Sequence, residues 1–180
     1  MIKINMGCGW RNFGKDWVHI DAGDYDHLNY DSIFDLNQFE DNTVDLIYAS
    51  HVVEYFDRQQ VTNLFAEWRR VLRPGGVLRL AVPNFYEISR LYSQGTYPLD
   101  SFTGLLYGRM PMGKETIYHR TVYDFSSLKR VLEDSSFSNV RMYDWRETEH
   151  AIFDDHSQAY LPHMNKDSGV LMSLNIECDK

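Results

Sequence analysis

The sequence predicts an α/β fold built on a mostly parallel sheet. Strand-like and helix-like segments alternate through its first three quarters. The first strand-like segment runs into a glycine turn, Gly7-Cys8-Gly9, and the second ends on an acid, Asp21. At 180 residues, with 43% apolar and 14% aromatic residues, the chain has the length of one domain and the composition of a packed globule.

Taken in order, Ile2–Met6 reads as the first strand and Trp17–Asp21 as the second. Only Trp10–Asp16 separate the glycine turn from the second strand. A parallel crossover ordinarily takes ~10–12 residues or more, so the first helix is expected to shrink to a turn. Ile33–Asp35 is expected to form a short third strand. Val44–Ser50 reads as a buried strand introduced by the turn residues Asp41-Asn42-Thr43. Asp57 is placed to cap a helix reaching about Arg73, whose Val61, Leu64, Phe65, Trp68, Val71 and Leu72 share one face. Pro74-Gly75-Gly76 should stop that helix, and Val77–Val82 reads as the next strand. Phe85, Ile88, Leu91 and Tyr92 indicate a short helix. The stretch 95–118, with Gly104, Gly108, Pro111 and Gly113, reads as an insertion. A helix at about Ser126–Ser135 and strands at Asn139–Tyr143 and Val170–Glu177 complete the pattern. Trp145–Ser168 is long for a loop in a compact domain, and such loops commonly carry function.

The net charge of −8 argues against nucleic acid as a partner, because binding a phosphate backbone needs clustered Lys and Arg. Cys8 and Cys178 form no C-x-x-C pair, which points to a reducing, cytoplasmic setting rather than a disulfide framework. No apolar run approaches the ~20 residues of a membrane helix, and Met1–Asn5 lacks the layout of a signal peptide. No membrane partner is expected.

Glycines after a first strand let backbone approach a ligand closely, and an acid ending the second strand can accept hydrogen bonds from ribose hydroxyls. A dinucleotide fingerprint would need glycine where Asn12 stands, which disfavours a nicotinamide-dependent oxidoreductase. A nucleoside ligand without pyrophosphate fits better. The segments INMGCG (Ile4–Gly9), HID (His19–Asp21), FDLN (Phe34–Asn37), DNTVDLIYASHVVEYF (Asp41–Phe56), EWRRVLRPGGVLRLAVPNF (Glu67–Phe85) and YHRTVYDFSSLKRVLEDSSF (Tyr118–Phe137) resemble the class I S-adenosylmethionine-dependent methyltransferases, in particular their small type 11 group of bacterial methyltransferases.

The resemblance implies a single Rossmann-like domain over 1–180. Its sheet would have seven strands, the last antiparallel, with reduced N-terminal and first helices. Insertions at about 84–118 and 145–168 would lie on the acceptor side. It implies S-adenosylmethionine as cofactor: Gly7 and Gly9 under its methionine part, Asp21 on the ribose, Asp35 and the Leu36 N–H at the adenine, Ser50 and His51 beside the methionine and the transferred methyl. The thin cover left on one sheet face would suit a homodimer contact or a cover from the insertion.

Methyl transfer from a sulfonium is an in-line displacement, in which the protein supplies alignment and, for a hydroxyl acceptor, a base. Histidine is suited to that role. His51, His119, His150, His156 and His163 lie in or beside the ligand-side segments. His119 is the first candidate base and His51 the second, with Glu54 as orienter or second base; the alternative is that these residues cap helices or satisfy buried loops. Asp154, Asp155 and His156 are adjacent, but no ligand spacing typical of a metal site appears, and no metal is expected. Tyr86, Tyr92, Tyr97, Phe102, Tyr107, Tyr118 and Tyr123 either line an acceptor pocket or pack the insertion. Arg109, Lys114 and Arg120 are the cations there. Cys8 reads as a small buried residue rather than a nucleophile. The expected activity is methylation, on oxygen, of a small molecule or a sugar of a surface polysaccharide. The alternative is a non-catalytic binding or scaffold protein that retains the fold.

Overall fold

The computed structural model describes residues 1–112 and 115–180. The chain forms β1 (Lys3–Met6), β2 (Val18–Ile20), β3 (Val44–Ser50), α1 (Arg58–Val71), β4 (Leu72–Pro83), α2 (Phe85–Ser93), α3 (Thr103–Tyr107), β5 (Gly108–Met112), β6 (Glu115–Tyr118), α4 (Phe125–Asp134), β7 (Ser138–Met142), β8 (Tyr160–Leu161), β9 (Val170–Leu171) and β10 (Ser173–Asp179). The central sheet has the order β2-β1-β3-β4-β10-β7. Its first four strands are parallel neighbours, and β10 runs antiparallel to both β4 and β7. The carboxyl ends of the parallel strands therefore lie along one edge, where open α/β sheets bind ligands.

Among the described residues the central sheet has six strands, not seven. The missing one is Ile33–Asp35. Its backbone is drawn into turns: the Asp35 N–H donates to Ser32 Oγ at 3.1 Å and the Asn37 N–H to Asp35 Oδ1 at 3.1 Å. Ile33 instead offers its carbonyl to Trp68 Nε1 at 3.0 Å. Among the described residues, a single bridge, Ile20 to Tyr30, continues the sheet beyond β2.

Asp57 caps α1 by accepting the Gln59 and Gln60 N–H groups, each at 2.9 Å, while Gln60 reaches back to the Asp57 N–H. The helix stops at Val71, earlier than the sequence predicts, because Pro74-Gly75-Gly76 is a bulged part of β4 rather than a separate stop. A side chain at Gly76 would lie 2.9 Å from the Arg73 carbonyl, and Gly75 has φ +72°, so the bulge requires both glycines.

The two faces of the sheet are covered differently. On one, α1 and α4 bury Val61, Leu64, Phe65, Trp68, Leu128 and Leu132 against Ile4, Met6, Ile47, Leu78, Leu80, Leu174 and Ile176. On the other, residues 7–17 connect β1 to β2 without a helix. There Phe13, Trp17, Leu46, Tyr48, Val77 and Phe153 pack together, so the segment after β7 lies over the sheet where a first helix would have been. A third, smaller cluster joins the 84–118 insertion to β8 and β9 through Ile88, Leu91, Phe102, Leu161, Val170 and Met172.

Candidate active site

The glycine turn and the acid after β2 are one unit. Asp21 is buried; it accepts the Gly9 N–H at 2.8 Å on Oδ2 and the Gly23 N–H at 2.7 Å on Oδ1. Gly7 and Gly9 have φ +64° and +56°, a region in which side chains are strained. A Cβ on Gly7 would meet Val52 at 2.3 Å, so the turn rests on the segment just after β3; a Cβ on Gly9 would meet nothing within 4 Å. Backbone is thus bared to open space at the carboxyl end of β1.

Ser50 ends β3 with its buried Oγ unpartnered. A carboxylate offers about four acceptor positions, so Asp21 keeps capacity for ribose hydroxyls beyond its two N–H partners. The bare glycine backbone, the spare carboxylate positions and the orphan Ser50 hydroxyl fit an adenosyl ligand. Asp35 is exposed. The Leu36 N–H, expected to face adenine, instead donates to Glu67 Oε1 at 2.9 Å. Glu67 is held there by Arg70 at 2.7 Å, which keeps its carboxyl below the ordinary range.

Beside this unit the fold gathers the candidate acid–base residues. His51 follows β3 in a left-handed conformation, φ +55°. A turn of 3-10 helix, Val53–Tyr55, then puts Glu54 underneath. Glu54 is fully buried, and among the described residues neither carboxyl oxygen has a hydrogen-bond partner. His51 Nδ1 lies 3.4 Å and His119 Nε2 3.8 Å from Glu54 Oε1. His119 is fixed by the Leu105 carbonyl at 3.0 Å, by the edge of Tyr55, 4.6 Å between ring centres, and by Gly108, where a Cβ would lie 2.6 Å from its ring. The Tyr123 hydroxyl is also buried without a partner.

Burial pushes the Glu54 carboxyl up to about 8. Burial likewise lowers His119, and lowers His51 well below the ordinary imidazole range, with His156, His119 and Arg11 adding to the effect on His51. Uncharged forms are therefore favoured throughout the cluster.

The five ligand-side histidines separate. His51 and His119 share Glu54, and His156 packs on His51 with ring centres 5.0 Å apart. His150 is buried under the other face of the sheet, stacked on Phe13, and burial lowers its imidazole to about 3. His163 is exposed. Asp155 accepts the Tyr48 hydroxyl at 2.6 Å and the Ser157 N–H at 2.8 Å, while Asp154 pairs with Lys166 at 3.0 Å. No group of three His, Cys, Asp or Glu residues is disposed to hold a metal ion among the described residues.

Of the aromatic residues in and just after the insertion, Phe102 and Tyr123 are buried, whereas Tyr86, Tyr92, Tyr107 and Tyr118 are exposed. Arg109 is exposed, Arg120 donates to Gln60 at 3.2 Å, and Lys114 lies outside the described residues. Cys8 lies 3.6 Å from His27 Nε2, but burial and Asp21 push its thiol up to about 12, so it is not an activated nucleophile.

Sequence reasoning missed Ser173 and Asn175, both buried on β10. Ser173 Oγ lies 3.5 Å from His51 Nε2 and 2.9 Å from Asn175 Oδ1. The available signal was their two-residue spacing: polar residues alternating with Leu174 and Ile176 in a strand.

Residues 15–80 match the family model described as a methyltransferase domain. No curated protein matches the sequence. Solved structures share the fold. An S-adenosylmethionine-dependent methyltransferase from Archaeoglobus fulgidus is 17% identical at TM-score 0.60, the match covering 99% of this chain and 86% of that one. One from Mesorhizobium loti is 20% identical at 0.54, covering 99% and 90%. The Burkholderia thailandensis 1,6-didemethyltoxoflavin-N1-methyltransferase, solved with bound 1,6-didemethyltoxoflavin and S-adenosylhomocysteine, is 10% identical at 0.56, covering 99% and 70%.

Proposed function

We propose that the chain is a class I S-adenosylmethionine-dependent methyltransferase, with S-adenosylmethionine as its cofactor, and that it methylates a small-molecule or saccharide acceptor on oxygen; the methyltransferase-domain match over residues 15–80 and the shared fold support this. The observation that carries this reading is Glu54, fully buried and unpartnered between His51 and His119. An oxygen acceptor must lose a proton as it takes the methyl group, and the neutral imidazoles flanking the buried carboxyl are suited to receive it. The exposed rings of Tyr107 and Tyr118 at the His119 side of the insertion give a sugar or planar acceptor faces to stack on. A role in polysaccharide biosynthesis follows from a sugar acceptor.

In this reading Gly7 and Gly9 run under the methionine part, Asp21 holds the ribose and Ser50 faces the methionine. The Asp35–Leu36 turn edges the adenine through Asp35, since the Leu36 N–H is engaged. The cofactor supplies the electrophilic methyl; the chain aligns it and manages the acceptor's proton. A cytoplasmic setting is supported by two free, buried cysteines; no helix of the described residues is long and apolar enough to cross a membrane. A homodimer remains part of the reading, tested by light scattering.

The test of the cofactor roles is calorimetry with S-adenosylhomocysteine. Asp21→Ala is expected to weaken binding at least about tenfold, the loss of roughly one charge-assisted hydrogen bond, with the protein still folded. Unchanged affinity removes Asp21 from the ribose. The acceptor class is tested with labelled cofactor against hydroxyl and amine acceptors; transfer to amines alone overturns the oxygen assignment.

A further inference from the structure

The polarity of one chain of hydrogen bonds can be read outward from a backbone carbonyl. The Ser157 carbonyl can only accept, and Asn175 Nδ2 donates to it at 2.9 Å. The amide is thereby oriented, and Asn175 Oδ1 faces Ser173 Oγ at 2.9 Å. An amide oxygen only accepts, and at 2.9 Å it takes the Ser173 hydrogen in preference to the Val82 carbonyl at 3.5 Å. Ser173 Oγ then meets His51 Nε2, at 3.5 Å, as an acceptor, and Nε2 carries the imidazole proton. The other nitrogen, Nδ1, is bare, and it is the one that faces Glu54 Oε1 at 3.4 Å.

His119 is fixed in the same way from its own carbonyl. Its Nδ1 donates to Leu105 O at 3.0 Å, which leaves Nε2 bare toward the same Glu54 oxygen, at 3.8 Å. Two lone pairs and a carboxyl without any other partner converge on one buried point. An ionised Glu54 between two bare nitrogens would be repelled by both; one proton among the three groups turns that repulsion into attraction.

Resting on the methyl-transfer reading above, we propose that Ser173 and Asn175 are positioning residues of the reaction. They hold His51 as the Nε2–H tautomer, so that His51, Glu54 and His119 share a single proton and receive the acceptor's proton. As the acceptor oxygen bonds to the methyl carbon, the sulfur–methyl bond breaks with its electron pair remaining on sulfur. The acceptor's O–H proton passes to a bare imidazole nitrogen and from there to water. The groups that bias this equilibrium are His156 and Arg11 against His51, and Tyr55 and Tyr123 beside Glu54. Because the Ser157 carbonyl belongs to the segment covering the sheet, that cover sets the tautomer of a histidine at the strand ends.

The test is the imidazole nitrogen spectrum of the full-length, ¹⁵N-labelled protein, which distinguishes Nε2–H from Nδ1–H without any acceptor. In the unmodified protein His51 should be Nε2–H at neutral pH. Ser173→Ala should shift its tautomer ratio about fivefold toward Nδ1–H, the effect of losing one ordinary hydrogen bond, while the backbone amide spectrum and S-adenosylhomocysteine binding persist. Ser173→Thr, which keeps the hydroxyl, should restore the original ratio. His51 found as Nδ1–H in the unmodified protein overturns the proposal even if the alanine variant does not fold, as does an unchanged ratio in a folded Ser173→Ala. Failure of the unmodified protein to bind S-adenosylhomocysteine speaks instead against the cofactor site and leaves the tautomer measurement standing.

Discussion

The strand β10 shows its two faces to two kinds of cover. Leu174, Ile176 and Cys178 enter the core beneath α1 and α4, while Ser173 and Asn175 turn to the segment after β7. The helical cover is a repeating apolar stripe that needs nothing from the strands except shape. The irregular cover has backbone groups to satisfy, and it draws on polar side chains to do so: Tyr48 to Asp155, Asn175 to Ser157, Gln158 to the Ala151 and Phe153 carbonyls. A face covered by loops therefore carries polar residues through the interior, and here they extend to His51. One face of the sheet is given to stability and the other to orientation.

Trp68→Ala should damage the helical face most, at a cost of about 3–5 kcal/mol in urea unfolding, because Trp68 is completely buried and also holds the Ile33 carbonyl. Glu54→Gln tests the strand ends through pH. A carboxyl raised to about 8 binds a proton in the folded state that the unfolded chain has already released, so stability falls as pH rises toward 8. Between pH 6.5 and 8 that loss is roughly 2 kcal/mol, and Glu54→Gln should flatten it; an unchanged slope would place the effect elsewhere.

Tyr48→Phe probes the loop face. It deprives buried Asp155 of a donor and should cost about 1–3 kcal/mol, where an equally conservative change under α1 would cost less. His150 has its imidazole lowered to about 3 by burial, so the unfolded chain takes up the proton first. Stability is therefore lost as pH falls below about 6.5, and His150→Phe should reduce that acid slope. The smallest effect is expected at the cap: Asp57→Ala should cost about 1 kcal/mol, with no change in S-adenosylhomocysteine binding.

How much could be read from the sequence followed the same division. The helical face was legible because α1 and α4 repeat their apolar residues at helical spacing, and Asp57 announced a cap. The glycine turn, Asp21 and the His51–Glu54 spacing were legible because they lie within short continuous segments. Ile33–Asp35 reads as a strand by composition, but the Asp35 N–H is taken by the Ser32 side chain and the Asp35 carboxylate turns back onto the Asn37 N–H, which hydropathy does not register. The sheet cover by 145–168 was not legible, since its contacts are single side chains at long range with no period. Ser173 and Asn175 went unnoticed for the same reason: their partners are His51 and Ser157, distant in the chain. The hydrogen bond from the Leu36 N–H to Glu67 was not legible either, because Glu67 lies on another element.

The place of β10 also bears on how the molecule is made. It lies between β4 and β7 in the sheet, yet it follows both of them in sequence. During synthesis the earlier strands must wait with a raw edge while the residues between β4 and β10 are added, and His51 waits across 122 residues for Ser173. Closure by such non-local pairing is slow and leaves apolar edges open to other chains meanwhile. A nascent chain halted before β10 would thus hold the glycine turn and Asp21 without a closed sheet, and Ser173 comes beside His51 only with that late pairing.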